Sequence, residues 1–443
     1  MASLQNNENR INTRFLNLYA LQNTKTNATN YFRKVLIVIE VNIVDAIMGA
    51  GKTTAMINYI NSLDNDVKIL YITPFLTEVE RIIKSCPDKY FYQPKDNVKN
   101  SKLEGIKYLF KHGKNVVSTH ALFHYFDQET VDLAYNNNYI LIMDEVADVV
   151  DDLDITPKDL DVILERFAYV DDKHLLKWKD NDYTGRYDDY KRLADIDCIG
   201  VYNKTATVWL FPISTFRAFR KIYILTYLFQ AQTQKYYYDY FDIKYNYLYV
   251  KGNSPDTYQL VKEPQKYKYQ NYNKLIHILD NDRMNQIGDL DGSLSKSWYV
   301  RNSNNGLLKI LKNNCINFFT HITHTKSQYN LWTTFKKYKD NVSGKGYSKG
   351  YLPSNVRATN DYRDRIAVAY LINKFFNPII KNFFIENNVQ VDEDAFAISE
   401  MLQWIWRSAI RDNKEIQLYI PSKRMRELLQ DWMNKMSKGS INE

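Results

Sequence analysis

The sequence predicts an α/β fold: two parallel-sheet domains in tandem, with an insertion in the first. Three observations carry this. From Lys34 short apolar runs alternate with amphipathic helical stretches, the rhythm of βα units. The rhythm breaks over 152–205 and resumes afterwards, as an insertion would make it do. A stretch of turn residues, Lys251-Gly-Asn-Ser-Pro-Asp256, then separates this region from a second alternating one.

Residues 1–33 lack a sustained apolar period and read as an N-terminal appendage, with one short helix around Phe15–Leu21. The first domain spans 34–250. Val41–Val44 is its first strand, and Ala55–Ile60 carries the apolar spacing of the helix that follows. Val67–Thr73 is the next strand, ended by Pro74, with a helix over Leu76–Lys84. Val116–Thr119 and Tyr139–Met143 are further strands, the last running into Asp144. Within the insertion, Thr156-Pro157 reads as a helix cap and first-turn proline, whereas 171–197 is charged and irregular. Ala206–Phe211 and Lys221–Thr226 continue the sheet, and a helix covers Phe229–Phe241.

Residues 251–258 are the expected linker, and 259–443 the second domain. Its strands are expected at Cys315–Phe319 and Glu415–Ile420. Its helices are expected over Gln328–Lys337, Arg365–Phe384 (kinked at Pro378), Asp394–Arg411 and Ser422–Met433. Gly344–Gly350 reads as a flexible basic loop.

Composition limits the function classes. With 443 residues, 45% hydrophobic and 25% charged, the chain can bury large cores, and its net charge of +8 is compatible with a nucleic-acid partner. The three cysteines are far apart and lack metal-ligand spacing, as suits a reducing cytosol. The polar start contains no signal peptide, and the most apolar run, Val35–Met48, is broken by Glu40, Asn42 and Asp45. No membrane span is therefore expected, and the location is cytoplasmic.

The chemistry is concentrated at Gly49-Ala50-Gly51-Lys52-Thr53-Thr54, between the first strand and the first helix. Two glycines in such a turn let backbone N–H groups close around phosphate oxygens, and the helix N-terminus adds partial positive charge. Ala46, Met48, Gly49, Ala50, Gly51, Lys52, Thr53 and Thr54 form the expected cradle for ATP. Ala46 stands where the usual pattern opens with glycine. Lys52 reaches the β- and γ-phosphates in this reading, and Thr53 holds Mg²⁺. Asp144-Glu145, at the end of an apolar strand, supplies the acids that hydrolysis needs: Asp144 for Mg²⁺ and Glu145 for the attacking water.

Together these residues resemble superfamily 2 helicases of the DEAD/DEAH-like kind, and in style the bacteriophage replication helicases. Ala46–Thr54 resembles motif I, and Asp144-Glu145-Val-Ala147-Asp148 resembles the acidic box, with Ala147 as its fourth residue and the next acid only at Asp148. Tyr71–Pro74 is similar to motif Ia. Thr226 and Gln230, in Ile224–Gln230, resemble the coupling motif III. Gln403-Trp-Ile-Trp-Arg407-Ser-Ala-Ile-Arg411 resembles motif VI, with its glutamine and arginine finger.

The resemblance implies two RecA-like domains that couple ATP hydrolysis to movement along single-stranded or forked DNA, in preference to RNA. Replication proteins are implied partners, with no membrane involved, in the cytoplasm of a bacterial host. Lys52, Asp144, Glu145, Gln403, Arg407 and Arg411 are the implied catalytic set. Thr73, Pro74, Thr119, His120, Thr320, His321 and Arg357 are the implied nucleic-acid contacts. Gln403, Arg407 and Arg411 fall at i, i+4, i+8, one face of a continuous helix. Two other readings share the phosphate loop: a nucleic-acid-dependent ATPase switch, and a packaging-type ATPase without unwinding activity. The run Tyr236–Phe241 suits either base stacking or helix packing. His321 and His324 lack the partners of a zinc site.

Overall fold

The computed structural model describes residues 39–96, 101–265, 272–355 and 361–437. The expected appendage at 1–33 and Arg357 lie outside the described residues. The chain divides into two compact units. The first holds 39–46, 51–262 and 377–391; the second holds Ile47–Ala50, 263–376 and 392–437.

The first unit is built on a seven-stranded sheet. In chain order its opening strands are β1 (Glu40–Asp45), β2 (Ile69–Thr73), β3 (Val116–Thr119) and β4 (Ile140–Asp144). The insertion follows, with β5 (Val150–Leu153), β6 (Ala168–Val170), β7 (Leu176–Trp178), β8 (Ile199–Tyr202) and β9 (Ala206–Leu210). The large sheet is completed by β10 (Lys221–Thr226), β11 (Tyr245–Lys251) and β12 (Gln259–Val261), in the order β12-β11-β1-β10-β4-β2-β3. All neighbours are parallel except the β11–β12 pair. Strands such as Val41–Val44 and Leu141–Met143 are buried throughout, which is why they read as continuous apolar runs rather than alternating ones.

Two expectations for this unit are corrected. β9 does not join the parallel sheet. It is the centre of a three-stranded antiparallel sheet, β5-β9-β8, so the insertion extends over about 150–210 rather than 152–205. Periodicity could not assign β9 to a sheet, because it is buried whichever sheet it enters. Residues 251–258 are not a linker. Lys251 ends β11 and 252–258 form the turn of the β11–β12 hairpin, built on a Ser254–Thr257 capping box, and the first unit runs on to Lys262. The helix cap at Thr156 does form: its Oγ1 accepts the Asp159 N–H, with Pro157 in the first turn.

The second unit carries four parallel strands: β13 (Ile276–Ile278), β14 (Asn330–Thr333), β15 (Ala367–Tyr370) and β16 (Ile416–Tyr419), in the order β13-β16-β15-β14. Only β16 was expected. Cys315–Phe319 is instead the end of the helix Leu307–Asn317 and the π-turn Phe318–Ile322, buried through Leu308, Leu311, Cys315, Phe318 and Phe319. The expected helix over 328–337 contains β14, and the one over 365–384 contains β15. Pro378 kinks nothing. It opens the helix Pro378–Glu386, whose N-cap Asn377 accepts the Ile379 and Ile380 N–H groups at 2.9 and 3.4 Å. That helix belongs to the first unit, where Phe383 packs on Gly200 of β8 and Tyr240.

Candidate functional site

β1 delivers the chain to the glycine turn, and the helix Lys52–Ser62 leaves it. Gly49 and Gly51 both adopt φ 85°, a left-handed conformation that side-chain-bearing residues resist. The helix starts on Gly51 with no side-chain cap and no acid in its first turn, so neither of those competes with an anion at its N-terminus. Its Ala55, Met56, Ile57 and Ile60 are buried, anchoring the turn to the sheet. Lys52 Nζ donates to the Ala46 carbonyl oxygen at 2.5 Å, folded back along the loop it follows.

Strand order then fixes what faces this turn. β10 lies between β1 and β4, with Asp45 opposite Thr226 and Leu225 opposite Asp144. The C-terminal ends of three adjacent strands therefore bring the loop, Thr226 and the acid pair together. Thr53 Oγ1 donates to Asp144 Oδ2 at 3.4 Å, and the Tyr71 hydroxyl reaches the same oxygen at 3.4 Å.

Asp144 is half-buried. Its burial, with the charges of Glu145 and Glu78, pushes its carboxyl up to about 7, against the opposing pull of Lys52 and Arg81. Glu145 sits at φ 75°, sharply off the strand path, its N–H held by the Leu225 carbonyl oxygen at 3.0 Å. A bulky residue in that region stores on the order of 1–3 kcal/mol of strain, sustained only where neighbours fix it.

These residues fit Mg²⁺ and a triphosphate. A hydroxyl and a carboxylate converge beside a helix N-terminus, and the carboxylate stands in excess negative charge that a divalent cation would relieve. One carboxylate, one hydroxyl and phosphate oxygens are a usual Mg²⁺ environment. Among the described residues no group of three His, Cys, Asp or Glu could hold a metal unaided.

Three contributors to this site were not anticipated. Asp45 ends β1, and its two carboxylate oxygens accept the Leu228 and Phe229 N–H groups, each at 2.9 Å, tying the loop strand to the turn after β10. Burial raises its pKa, opposed by those bonds and by Lys52. Gln234 accepts the Ala147 N–H at 2.8 Å and donates to the Tyr238 hydroxyl at 3.0 Å, holding the segment behind the acid pair. Tyr71 is the third. Asp45 left a trace in the sequence as an acid ending an apolar run, and Tyr71 as the first residue of the Tyr71–Pro74 stretch.

The residues with implied roles lie as follows. Gln230 is exposed on the 3-10 turn Phe229–Ala231, beyond the strand's end at Thr226, and donates to the Tyr247 hydroxyl at 2.5 Å. Thr73 is 0% exposed, so its hydroxyl cannot grip a phosphate. His120 Nε2 lies 2.9 Å from the Asp144 carbonyl oxygen, the geometry of a donor supporting the acid strand from behind. Pro74 and Thr119 are half-buried. Thr320 and His321 are exposed, but on the π-turn rather than at a strand end.

In the second unit, Gln403 lies on the helix Glu393–Ile405, which ends before Arg407. Arg407 is 7% exposed and its Nε donates to the Gln403 carbonyl oxygen at 3.2 Å. Ser408 is extended, and Arg411 is exposed on the 3-10 turn Ala409–Asp412. The three residues do not share one helical face, because the helix ends at Ile405 and Ser408 then takes extended backbone. Tyr236, Tyr237 and Tyr238 are fully buried in the first unit, so that run packs a helix and stacks no bases.

Fold and strand order define a mixed α/β protein of parallel sheets with a Rossmann-like C-terminal domain. Residues 270–433 match the YonV C-terminal Rossmann-like domain, and 150–209 match the YonV middle domain, which coincides with the insertion. Over 408 residues the chain is 41% identical to the SPbeta prophage-derived uncharacterized protein YonV of Bacillus subtilis (strain 168), covering 89% of this chain and 98% of that one. The chain belongs to the YonV family.

Two solved structures are distantly similar. S. tokodaii Xpd4 matches with a TM-score of 0.47 and 12% identity, over 89% of this chain and 94% of that one. The DUF1998 helicase MrfA matches with a TM-score of 0.29 and 10% identity, over 95% of this chain and 53% of that one. Neither likeness decides anything about activity. Among the described residues, no helix is long and apolar enough to cross a membrane.

Proposed function

We propose that this chain is an ATP-dependent nucleic-acid motor, a helicase or translocase that acts on single-stranded or forked DNA. One observation carries the reading: β10 places Thr226 between the glycine loop and the acid pair, with its carbonyl oxygen accepting the Ala46 N–H at 3.1 Å. A change at the phosphate loop is thereby felt by the turn that follows β10. The prophage-derived relative supports a phage setting; replication is the process this reading assigns.

In this reading the loop N–H groups and Lys52 bind the triphosphate, and Thr53 with Asp144 holds Mg²⁺. The metal supplies charge neutralisation on the phosphate oxygens. Glu145 orients the attacking water and takes its proton as the terminal phosphoryl bond to the departing ADP breaks. Asp45 relays loop position to Leu228 and Phe229. Of the two arginines, Arg411 is exposed on its turn, whereas Arg407 is buried against the end of its own helix.

The test is steady-state ATP hydrolysis with and without single-stranded DNA or RNA, beside strand displacement on a forked duplex. Hydrolysis stimulated by single-stranded DNA, and lost in Lys52→Ala, is the expected result. Lys52-dependent hydrolysis that no nucleic acid alters would overturn the motor reading.

A further inference from the structure

The hairpin that replaces the expected linker lies against the phosphate loop. A Cβ built on Gly51 would stand 2.6, 2.8 and 2.9 Å from Cε2, Cδ2 and Cζ of Tyr258, so the ring is pressed onto the loop's second glycine. Asn58, on the helix that leaves the loop, pins the hairpin: its Nδ2 donates to the Pro255 and Tyr258 carbonyl oxygens, each at 2.9 Å. The turn is itself braced, because Thr257 Oγ1 accepts the Asn253 and Ser254 N–H groups at 3.1 and 3.0 Å. Gly51, Thr54 and Asn58 are spaced at i, i+3, i+7 and share one face of that helix. The hairpin covers this face at both ends.

Strand order gives a bound nucleotide its direction. Thr53 and Asp144 mark the end where the terminal phosphate reacts, and β10 and β4 lie to that side of β1. β11 and β12 lie to the other side, so the nucleoside end of the molecule leaves the loop toward Tyr258. Tyr258 is half-buried, which leaves part of its surface open to a ligand.

We infer that Tyr258 is the stacking wall for the nucleobase of a purine nucleotide, supplied by the β11–β12 turn. This rests on the nucleotide reading above and adds the residue that holds the base. Aromatic faces bind bases without hydrogen-bond readout and hold purines through their large π-surface.

Calorimetric binding of two ligands to the full-length chain tests it: ADP, which carries a base, and inorganic tripolyphosphate, which does not. Tyr258→Ala should weaken ADP binding about tenfold, within the range that loss of base–aromatic stacking gives. Tripolyphosphate affinity should stay within about twofold, and Tyr258→Phe should bind ADP within about twofold of the wild type, since the ring rather than the hydroxyl does the stacking. Equal weakening of both ligands by Tyr258→Ala would reduce Tyr258 to a prop for the loop and overturn the inference. Unchanged ADP binding would also overturn it. A wild-type chain that binds neither ligand would overturn the nucleotide reading itself, and this inference with it.

Discussion

Replacing Asp144 by asparagine should stabilise the metal-free protein, and by an amount that depends on pH. In the folded chain this carboxyl titrates at about 7, against 3.8 for the ordinary group. Near pH 3 it is protonated in both folded and unfolded states and costs nothing. Between the two values the folded state keeps a proton that the unfolded state has lost, so wild-type stability falls as pH rises. Above about 7 the full penalty applies, with an upper bound of about 4 kcal/mol at ~1.36 kcal/mol per unit. Asparagine carries no such term. Urea denaturation in the presence of a chelator should therefore show the Asp144→Asn advantage widening by about 2–3 kcal/mol between pH 5 and pH 8. Adding Mg²⁺ at pH 8 should narrow it, since the cation stabilises only the wild-type carboxylate. A stability difference that stays flat or closes from pH 5 to pH 8 would refute the placement of this acid in a charge-crowded pocket.

Three further outcomes follow from the same geometry. Gly51→Ala combines a left-handed φ with a collision against the Tyr258 ring; it should cost on the order of 1–3 kcal/mol in a thermal or urea melt, and Tyr258→Ala in the same chain should recover part of that. Thr226 is 0% exposed and its hydroxyl has no hydrogen-bond partner among the described residues, so Thr226→Val should leave stability equal or higher by about 1 kcal/mol. Because the link to Ala46 runs through the Thr226 backbone carbonyl, that variant should also retain both basal ATP hydrolysis and its stimulation by DNA. Arg407→Ala should destabilise by about 2–3 kcal/mol because it empties a buried guanidinium site, whereas Arg411→Ala, at an exposed position, should stay within ~0.5 kcal/mol of wild type.

The first unit was largely legible because its strands are apolar runs punctuated by the residues that do the chemistry: Asp45 and the glycine turn after β1, Pro74 after β2, Asp144-Glu145 ending β4. The second unit was less so. β14 and β15 are four-residue strands buried throughout, and β15 continues into further buried apolar residues, Leu371 and Ile372. Such stretches carry no alternation, and periodicity alone does not separate them from buried helix. Cys315–Phe319 shows the reverse error, an apolar run that is the buried end of a helix.

Roles that depend on long-range pairing left almost no trace. The bond from Gln234 to Ala147 and the seat of Tyr258 on Gly51 join residues far apart in sequence, set only by strand order. Motif spacing also misled at Arg407 and Arg411, since i, i+4 arithmetic assumes a helix that in fact ends at Ile405.

Phosphate release from Mg²⁺–ATP by the full-length chain, beside its Lys52→Ala and Glu145→Gln variants, addresses the site most directly. The arrangement of loop, metal-binding acid and water-orienting acid predicts turnover in the wild type and none in Lys52→Ala. Glu145→Gln should bind ATP with near wild-type affinity yet release phosphate at least ~100-fold more slowly. Turnover that persists undiminished in both variants would place the chemistry elsewhere and contradict the account.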